Sequence, residues 1–368
     1  MKKTLVILFA ALAVLSSCAK KEAPAPASSA APKLKVVLLL NGTLGDKSFF
    51  DSAANGMTMI KAEMGDTVET KTIEMVYDPS KWEPTLIDVS EGDWDVIVLG
   101  TWQMTEALQK VAKEHPAKKY VIFDTAVDYS LGLSNVYSIL YSQNEASFLA
   151  GALGSLVTTS SMPLANKQKV IGFLGGMDIP VINDFLVGYI EGARYIDPAV
   201  KVAISYIGSF DDSAKGKEMA LAQYAQGADI GYNVAGQAGL GQLDAAKDVK
   251  RYAIGVDSDQ AAIFATSDAD KANLITTSVL KRVDNSILRA IQLHVKGIAP
   301  YGKAETLGFA EECVGLAKND IYMKVVPAEI RTKLDDIEKK IVAKEIKVGT
   351  AFSLSTEDLN KIRNAVKP

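Results

Sequence analysis

The sequence has few of the residues from which metal sites and disulfide frameworks are built. Its 368 residues include two cysteines and two histidines. His115 and His294 stand far apart and lack metal-motif neighbours. Cys18 and Cys313 are too few for a thiolate metal cluster or a disulfide framework. The formal net charge is -4 and no block of basic residues is present, which argues against a nucleic-acid partner. No cofactor is predicted.

The motifs of common enzyme mechanisms are also missing. The sequence contains no Gly-x-Ser-x-Gly elbow, no His-Glu-x-x-His and no Walker loop. The glycine-rich stretch 236–241 lacks the order of a dinucleotide fingerprint, and close packing of a helix on a sheet explains it equally well. Asp257 and Asp259 suit acid–base chemistry, but they serve a binding protein equally well as acceptors from hydroxyl groups. We therefore predict a binding protein and not an enzyme.

A long apolar run occurs at the N-terminus. Residues 4–17 are apolar or small and follow two lysines, which is typical of a signal peptide and too short to cross a bilayer. The run ends in Leu-Ser-Ser-Cys, which resembles the lipobox of bacterial lipoproteins. Cys18 is therefore predicted to carry a lipid that holds the chain to a membrane. An ordinary secretory peptide with an incidental cysteine is the alternative.

Beyond residue 34, short apolar runs alternate with segments of helical period. Continuous apolar strands between helices are typical of parallel sheets covered on both faces. Two such series predict an α/β protein with two doubly wound lobes. The predicted strands are 35–40, 95–99, 120–123, 170–174, 202–206, 230–234, 252–256 and 274–278. The predicted helices are 49–64, 103–114, 143–159, 181–196, 214–226, 282–295 and 327–344.

These patterns also predict the domain organisation. A Pro- and Ala-rich stretch without large apolar residues follows Cys18 and is typical of a tether. The predicted parts are a signal peptide (1–17), the lipidated cysteine with a flexible tether (18–33), an N-terminal lobe (34–142 plus about 279–320), a C-terminal lobe (143–278) and a C-terminal helical segment (321–368).

The segments that follow the predicted strands contain candidate ligand contacts, because ligands of doubly wound sheets bind at the carboxyl ends of the strands. Aromatic and acidic side chains recur there. Aromatic rings can stack on a flat ring and carboxylates can bond hydroxyl or N–H groups, which suits a heteroaromatic ligand with a sugar or polyol. Core packing is the alternative for each aromatic residue alone. The candidates are Phe49, Phe50, Trp102, Asp124, Phe210, Gly236 and Asp257.

At these loops the sequence resembles the basic membrane protein family of solute-binding lipoproteins, over most of residues 34–350. The family includes receptors for purine nucleosides and for riboflavin. The order and spacing of the similar motifs together are specific. They are Asp-Lys-Ser-Phe at 46–49, Gln-Asn-Glu-Ala-Ser-Phe-Leu at 143–149, Gly-Phe-Leu-Gly-Gly-Met at 172–177, Phe-x-Asp at 210–212, Ile-Gly-Val-Asp-Ser-Asp-Gln at 254–260 and Ser-Val-Leu-Lys-Arg at 278–282.

The resemblance implies a periplasmic-binding-protein type I fold with a ligand cleft between the two lobes. It implies that the protein captures a small molecule for an ABC importer, whose permease and ATPase subunits would be its partners. With a lipid on Cys18, such a protein would face the periplasm or the cell exterior at the cell membrane.

The resemblance also implies a role for each candidate. Phe49 and Phe210 would sandwich the ligand ring, and Asp124 would bond the edge of that ring. A carboxylate and a cation beside one diol are sensible chemistry, because hydroxyls both donate and accept. The groups that would hold the sugar hydroxyls are Gly236, Asp257 and Lys281.

Three departures from the family pattern concern ligand choice. Phe50 stands where the family has a base-reading asparagine, Leu40 aligns with a ribose-contacting aspartate, and Trp102 replaces a phenylalanine. An unpaired buried polar group costs about 1–3 kcal/mol, so a purine edge would lose more than the apolar flank of an isoalloxazine. We therefore favour riboflavin slightly over a purine nucleoside. The alternatives are that Phe50 turns into the core, that the protein processes nucleosides as an enzyme, or that it is an adhesin or signalling protein.

Overall fold

The computed structural model describes residues 32–368. The predicted signal peptide, Cys18 and nearly all of the tether lie outside these residues. The described chain forms two six-stranded sheets, with strand orders β11-β5-β4-β3-β1-β2 and β12-β10-β9-β8-β6-β7. The prediction of an α/β protein with two doubly wound sheets is therefore confirmed.

Strand pairs in the first sheet are parallel. Strand β1, between β3 and β2, has the sequence LKVVLLL and is buried along most of its length, as expected for a strand covered on both faces. The strands of this sheet are β1 (Leu34–Leu40), β2 (Val68–Glu74), β3 (Val96–Gly100), β4 (Lys119–Phe123), β5 (Val136–Tyr141) and β11 (Lys303–Leu307).

The second sheet is parallel except for its last strand, β12, which pairs with β10 in the antiparallel sense. Its strands are β6 (Val170–Gly175), β7 (Lys201–Tyr206), β8 (Ala228–Val234), β9 (Tyr252–Asp257), β10 (Ile275–Lys281) and β12 (Val314–Leu316). We refer to each sheet with its packed helices as the first and second lobe.

Most helices cover the faces of the two sheets, and the last three come after β12 in the chain. They are α1 (Phe49–Met64), α2 (Pro79–Glu91), α3 (Thr105–Glu114), α4 (Gln143–Thr158), α5 (Pro180–Ile196), α6 (Ser213–Ala225), α7 (Leu240–Val249), α8 (Gln260–Phe264), α9 (Ala269–Ala272), α10 (Val283–Val295), α11 (Asp320–Val325), α12 (Ala328–Val342) and α13 (Thr356–Ala365). Within the described residues, no helix is both long enough and apolar enough to cross a membrane.

The chain passes between the lobes more than once. It leaves the first sheet after β5, returns for β11, and then re-enters the second sheet at β12. Residues from about 279 to 320 were predicted to belong to the first lobe, whereas residues 279–281 end β10 of the second sheet and β12 pairs with that strand. A three-residue edge strand carries too little apolar sequence to reveal its partner, which explains the difference.

Helices α4 and α5 of the second lobe cross at very short range. A Cβ atom on Gly192 would lie 1.9 Å from the carbonyl oxygen of Phe148, and one on Gly151 would lie 1.9 Å from that of Tyr189. Glycine at these positions therefore allows the two backbones to touch. This contact fixes α5, whose first turns face the space between the lobes.

The end of the chain returns to the second sheet. The backbone N–H of Val202, in the edge strand β7, donates to the carbonyl oxygen of Val366 at 2.7 Å. Val366 is buried, with 1% of its surface exposed. The last helix, α13, is thereby held beside β7.

Candidate functional site

Both lobes line one cavity of about 240 Å³ at the carboxyl ends of their strands. The structure brings all eight ligand contacts proposed from the sequence to the wall of this cavity, and their contact with a ligand stays a prediction. They come from the start of α1, from the ends of strands and from the loops that follow. They are Phe49, Phe50, Trp102, Asp124, Phe210, Gly236, Asp257 and Lys281.

A buried ion pair joins the lobes inside the cavity. Lys281 is the last residue of β10, and its Nζ donates to Oδ1 of Asp124, beyond β4, at 2.6 Å. The two side chains are 4% and 11% exposed. Burial raises the pKa of the Asp124 carboxyl, and the neighbouring Lys281 ammonium opposes that rise.

Aromatic rings surround the same ammonium group. The Nζ of Lys281 lies 4.9 Å from the ring centroid of Phe49 and 5.2 Å from that of Phe185. Cations are stabilised over aromatic faces at these distances. The amine is therefore held in place by both a carboxylate and two rings.

Asp257 closes the polar end of the cavity. Its Oδ2 accepts a hydrogen bond from Ser48 Oγ at 2.6 Å, and Ser258 Oγ donates to the Ser48 carbonyl oxygen at 2.9 Å. Burial raises the pKa of Asp257, which the charge of Lys281 and the Ser48 hydroxyl partly offset. Three groups able to bond hydroxyls, on Asp124, Asp257 and Lys281, thus line the same cavity.

At three strands, the last residue or the one directly after it has left-handed backbone geometry. The φ angles are 72° at Thr101, 68° at Asp124 and 62° at Asp257. This region is costly for residues other than glycine, and such strain concentrates at functional sites. All three residues line the cavity.

Asp46 organises the first turn of α1. Its Oδ1 accepts from the N–H groups of Ser48 and Asp51, both at 3.0 Å, and its Oδ2 accepts from that of Phe50 at 2.8 Å. Burial raises its pKa to about 6, although these three N–H groups act in the opposite direction. The carboxylate thereby sets the direction in which the neighbouring Phe49 enters the cavity.

Phe50 lines the cavity but packs mainly into the first lobe. It is 6% exposed, and its centroid lies 5.3 Å from that of Phe49 and 6.2 Å from that of Tyr77. A Cβ atom on Gly42 would lie 2.1 Å from the Phe50 ring, so the ring occupies the space that this glycine leaves. By contrast, Trp102 is 49% exposed and Phe210 is half-buried.

The residue at the end of the first strand was wrongly assigned from the sequence. Leu40 is fully buried in the core and is not part of the cavity wall, whereas the next residue, Asn41, lines it. Asn41 Nδ2 donates to Thr101 Oγ1 at 2.8 Å. Its Oδ1 is buried and has no hydrogen-bond partner among residues 32–368. A polar group therefore remains at this point of the site.

Other residues of the cavity wall were not predicted from the sequence, for two reasons. Some lie after β2 or in α2, neither of which was predicted, and others lie in the first turns of α5 instead of at a strand end. Prolonging each strand-end segment by three to five residues would have found several of them. They include Tyr77, Pro79 and Trp82 near β2 and α2, and Ile179, Val181, Ile182 and Phe185 at the start of α5.

The histidines and the thiol of the described chain lie away from this cavity. His115, His294 and Cys313 are not among the residues of its wall. Burial raises the pKa of the Cys313 thiol to about 12, which disfavours the nucleophilic thiolate. In the part of the chain that the structure describes, no cluster of three or more His, Cys, Asp or Glu side chains could hold a metal ion.

Known proteins resemble the chain over nearly its whole length. Residues 33–351 match the family model Bmp, described as ABC transporter substrate-binding protein PnrA-like. Basic membrane protein A of Borreliella burgdorferi is 30% identical, over 94% of this chain and 95% of the relative. A Lactococcus lactis protein named ABC transporter nucleoside-binding protein BmpA is 28% identical, over 93% and 99%.

Solved structures of solute-binding proteins also resemble this chain. A solute-binding protein of an ABC transporter system from Aeropyrum pernix superposes with a TM-score of 0.75 at 28% identity, covering 90% of this chain and 99% of that one. A solute-binding protein from Mycobacterium smegmatis shares the fold at 17% identity, with a TM-score of 0.58. The expected periplasmic-binding-protein fold and family are confirmed, and the chain belongs to the Bmp family of ABC transporter substrate-binding proteins.

Proposed function

We propose that this protein captures a ligand in which a flat heteroaromatic ring carries a ribose or ribityl group, and that it delivers the ligand to an ABC importer. The observation that carries the proposal is the composition of the cavity wall. A buried amine and two buried carboxylates lie in the same wall as several aromatic rings. A ligand with a polyol and a flat ring satisfies both kinds of group.

The polar groups suit a chain or ring of hydroxyls. The carboxylates of Asp124 and Asp257 accept hydrogen bonds, and the ammonium of Lys281 donates them. A hydroxyl between a carboxylate and an amine can donate to one and accept from the other, and both bonds are strengthened by the charge. A simple apolar ligand would leave these charged groups without new partners.

The aromatic residues suit a flat ring. In this proposal Phe49 and Phe210, one from each lobe, stack on the two faces of the ring. Aromatic pairs contribute about 0.5–1.5 kcal/mol beyond the burial of their area. The half-exposed Trp102 would lose its contact with water when the ring enters.

Riboflavin is the ligand that we favour. Apolar and aromatic side chains dominate the wall, and an isoalloxazine with its dimethyl flank needs fewer hydrogen bonds there than a purine edge. Phe50, Tyr77, Trp82 and Trp102 all come from the first lobe and contribute to this apolar region.

A purine nucleoside is the second candidate, on a separate observation. The buried Oδ1 of Asn41 would accept a hydrogen bond from a ligand N–H or O–H group. The Lactococcus lactis relative is also named as a nucleoside-binding protein. Because Asn41 and not Leu40 lines the cavity, the preference for riboflavin rests on Phe50 and Trp102 alone among the sequence departures.

The proposal includes a membrane anchor. A lipid on Cys18 would keep the binding protein beside the permease, and the permease and ATPase of the importer would be its partners. Replacing Cys18 by Ala tests this part. We expect the variant to leave the membrane fraction and to lack the acyl groups that mass spectrometry detects on the parent protein.

The ligand itself is tested by denaturing the purified protein and identifying any molecule that it releases. A yellow flavin chromophore is the expected result, and calorimetry with added riboflavin should show binding. Tight binding of inosine or adenosine without flavin binding would reverse the choice between the two candidates. Conversion of a nucleoside to its free base would contradict the proposal of a binding protein.

A further inference from the structure

The segment after α12 packs on the second lobe at the start of α5. We call residues 344–368 the C-terminal strap. The first turns of α5 and the residue before them form part of the cavity wall, which we call the α5 wall. It consists of Ile179, Val181, Ile182 and Phe185. No residue of the strap itself lines the cavity.

One contact of the strap is made with a buried carboxylate of α5. Asp184 is 1% exposed, and its Oδ1 accepts from Thr350 Oγ1 at 2.6 Å and from the N–H of Ala351 at 2.9 Å. Its other oxygen accepts from Nε2 of Gln143, at the start of α4. Asp184 therefore ties the strap, α4 and α5 together immediately beside Phe185.

A second contact is made by an arginine of α13. Arg363 Nη2 donates to Oδ1 of Asp178 at 2.6 Å and to Oδ1 of Asn183 at 2.7 Å, and its Nη1 donates to Asp178 Oδ2 at 3.1 Å. The hydroxyl of Tyr206, at the end of β7, lies 2.7 Å from the same Nη2. The arginine side chain is 14% exposed and that of Asp178 is 51% exposed, so the guanidinium is mostly buried while its carboxylate partner also meets water.

Around the start of α5, residues held by the strap are interspersed in the sequence with residues of the α5 wall. Residues 178, 183 and 184 are held by the strap, and residues 179, 181, 182 and 185 line the cavity. The residue that caps α5 is Ile179, whose side chain makes no capping hydrogen bond. Asn183 Nδ2 donates to Asp178 Oδ1 at 2.9 Å, so the start of α5 is held both by this local bond and by the contacts of the strap.

We propose that the C-terminal strap is a positioning element of the ligand site, with Arg363 and Thr350 as positioning residues that hold the α5 wall against the ligand. This inference rests on the proposed function. The strap acts through Asp178, Asn183 and Asp184 and does not touch the ligand. Loosening it lowers affinity because the wall must then be ordered when the ligand binds.

The test compares Arg363→Met with Lys361→Met in the full protein. Lys361 lies on the same helix but is exposed and pairs within that helix, with Glu357 and Asp358. Hydrogen exchange of the ligand-free variants is measured by mass spectrometry. We expect faster exchange in residues 177–186 of Arg363→Met, and the parent pattern in Lys361→Met.

Calorimetry with riboflavin, and with inosine as the second probe, then measures affinity. We expect the dissociation constant of Arg363→Met to rise about five- to tenfold for the ligand that the parent protein binds. Thr350→Val should raise it in the same direction. Arg363→Lys keeps the charge beside Asp178 but lacks the fork, and it should fall between the parent and Arg363→Met.

The outcomes separate this inference from the proposed function. If the parent protein binds a probe and Arg363→Met binds it equally well, the positioning role is wrong, even if the variant melts at a lower temperature. Unchanged exchange in residues 177–186 contradicts it as well. If the parent protein binds neither probe, the proposed function fails, whatever the exchange data show for the strap.

Discussion

At the scale of single residues, Lys281 supplies the positive charge of the cavity. Among the described residues of the wall it is the one cationic side chain, and it faces Asp124 and Asp257. Burial raises the pKa of both carboxyls, so their charged forms depend on the ammonium group. The pair with Asp124 also links the two lobes across the site.

Replacing Lys281 by Met should leave Asp124 buried without its partner. Removing one member of a buried pair costs about 3–5 kcal/mol, so we expect the free energy of unfolding to fall by that order at pH 7. The loss should shrink as pH falls, because Asp124 can then take up a proton. Urea denaturation at pH 7 and pH 5 measures this, with the exposed Lys296→Met as control. An equal fall in the free energy of unfolding in Lys281→Met and Lys296→Met would contradict the role of the ion pair.

Asp46 predicts a second pH dependence. Its pKa is about 6 in the folded protein and near the ordinary value of 3.8 in the unfolded chain. The folded state therefore binds a proton between these values, and the stability from this group is present below pH 3.8 and lost as pH rises through 6. We expect the difference in unfolding free energy between the parent and Asp46→Asn to be larger at pH 4.5 than at pH 7, by about 1–2 kcal/mol. A pH-independent difference would contradict the raised pKa.

Site residues in the segments after long apolar runs could be placed from the sequence, and those on other elements could not. Asp124 and Asp257 follow long apolar runs, so their strands and their position at the carboxyl edge were visible. Leu40 stands where a ribose-contacting aspartate was expected, but its side chain lies in the core and that of Asn41 reaches the cavity, because successive strand residues point to opposite faces. Tyr77 and Phe185 reach the cavity from elements whose position depends on tertiary packing.

At the scale of elements, long continuous apolar runs and clear helical periods made an element predictable. Helix α1 was predicted with the bounds that the structure has, and strand β1 within one residue. Strand β2, an edge strand of sequence VETKTIE, has no continuous apolar run and was missed. Helix α2 contains Pro84, which interrupts the helical pattern, and it was missed as well. Edges and surface elements carry a weaker sequence signal because water covers part of them.

The crossing of α4 and α5 makes a prediction about packing. In Gly192→Ala the new Cβ would meet the Phe148 carbonyl oxygen at 1.9 Å, so the helices must separate. We expect the unfolding free energy to fall by about 1–3 kcal/mol, as in other overpacked cores. Gly92→Ala, where the nearest atoms lie at 3.4 Å, is the control and should change little. Denaturant titration of both variants checks this, and an unchanged Gly192→Ala would mean that the helices yield without cost.

At the scale of the whole molecule, the negative charge of the cavity predicts that phosphorylated ligands bind weakly. Asp46, Asp124, Asp211 and Asp257 line it, against the already paired Lys281. A phosphate would meet like charges and, among the residues 32–368 that line the cavity, no free cation, and such juxtapositions cost several kcal/mol. We expect flavin mononucleotide to bind at least about tenfold more weakly than riboflavin, and inosine monophosphate than inosine. Calorimetry with each pair would contradict this if the phosphorylated form bound equally well.

The contact between Val366 and Val202 has a consequence for molecules that share a membrane surface. If Cys18 carries a lipid, many copies lie side by side at high local concentration, where an open strand edge invites pairing with a neighbour. The last turn of the chain occupies part of the β7 edge, and on the edge strand β2 the exposed charges of Glu69, Lys71 and Glu74 discourage such pairing. In that case the C-terminus would help to prevent the β7 edges of neighbouring copies from pairing with each other.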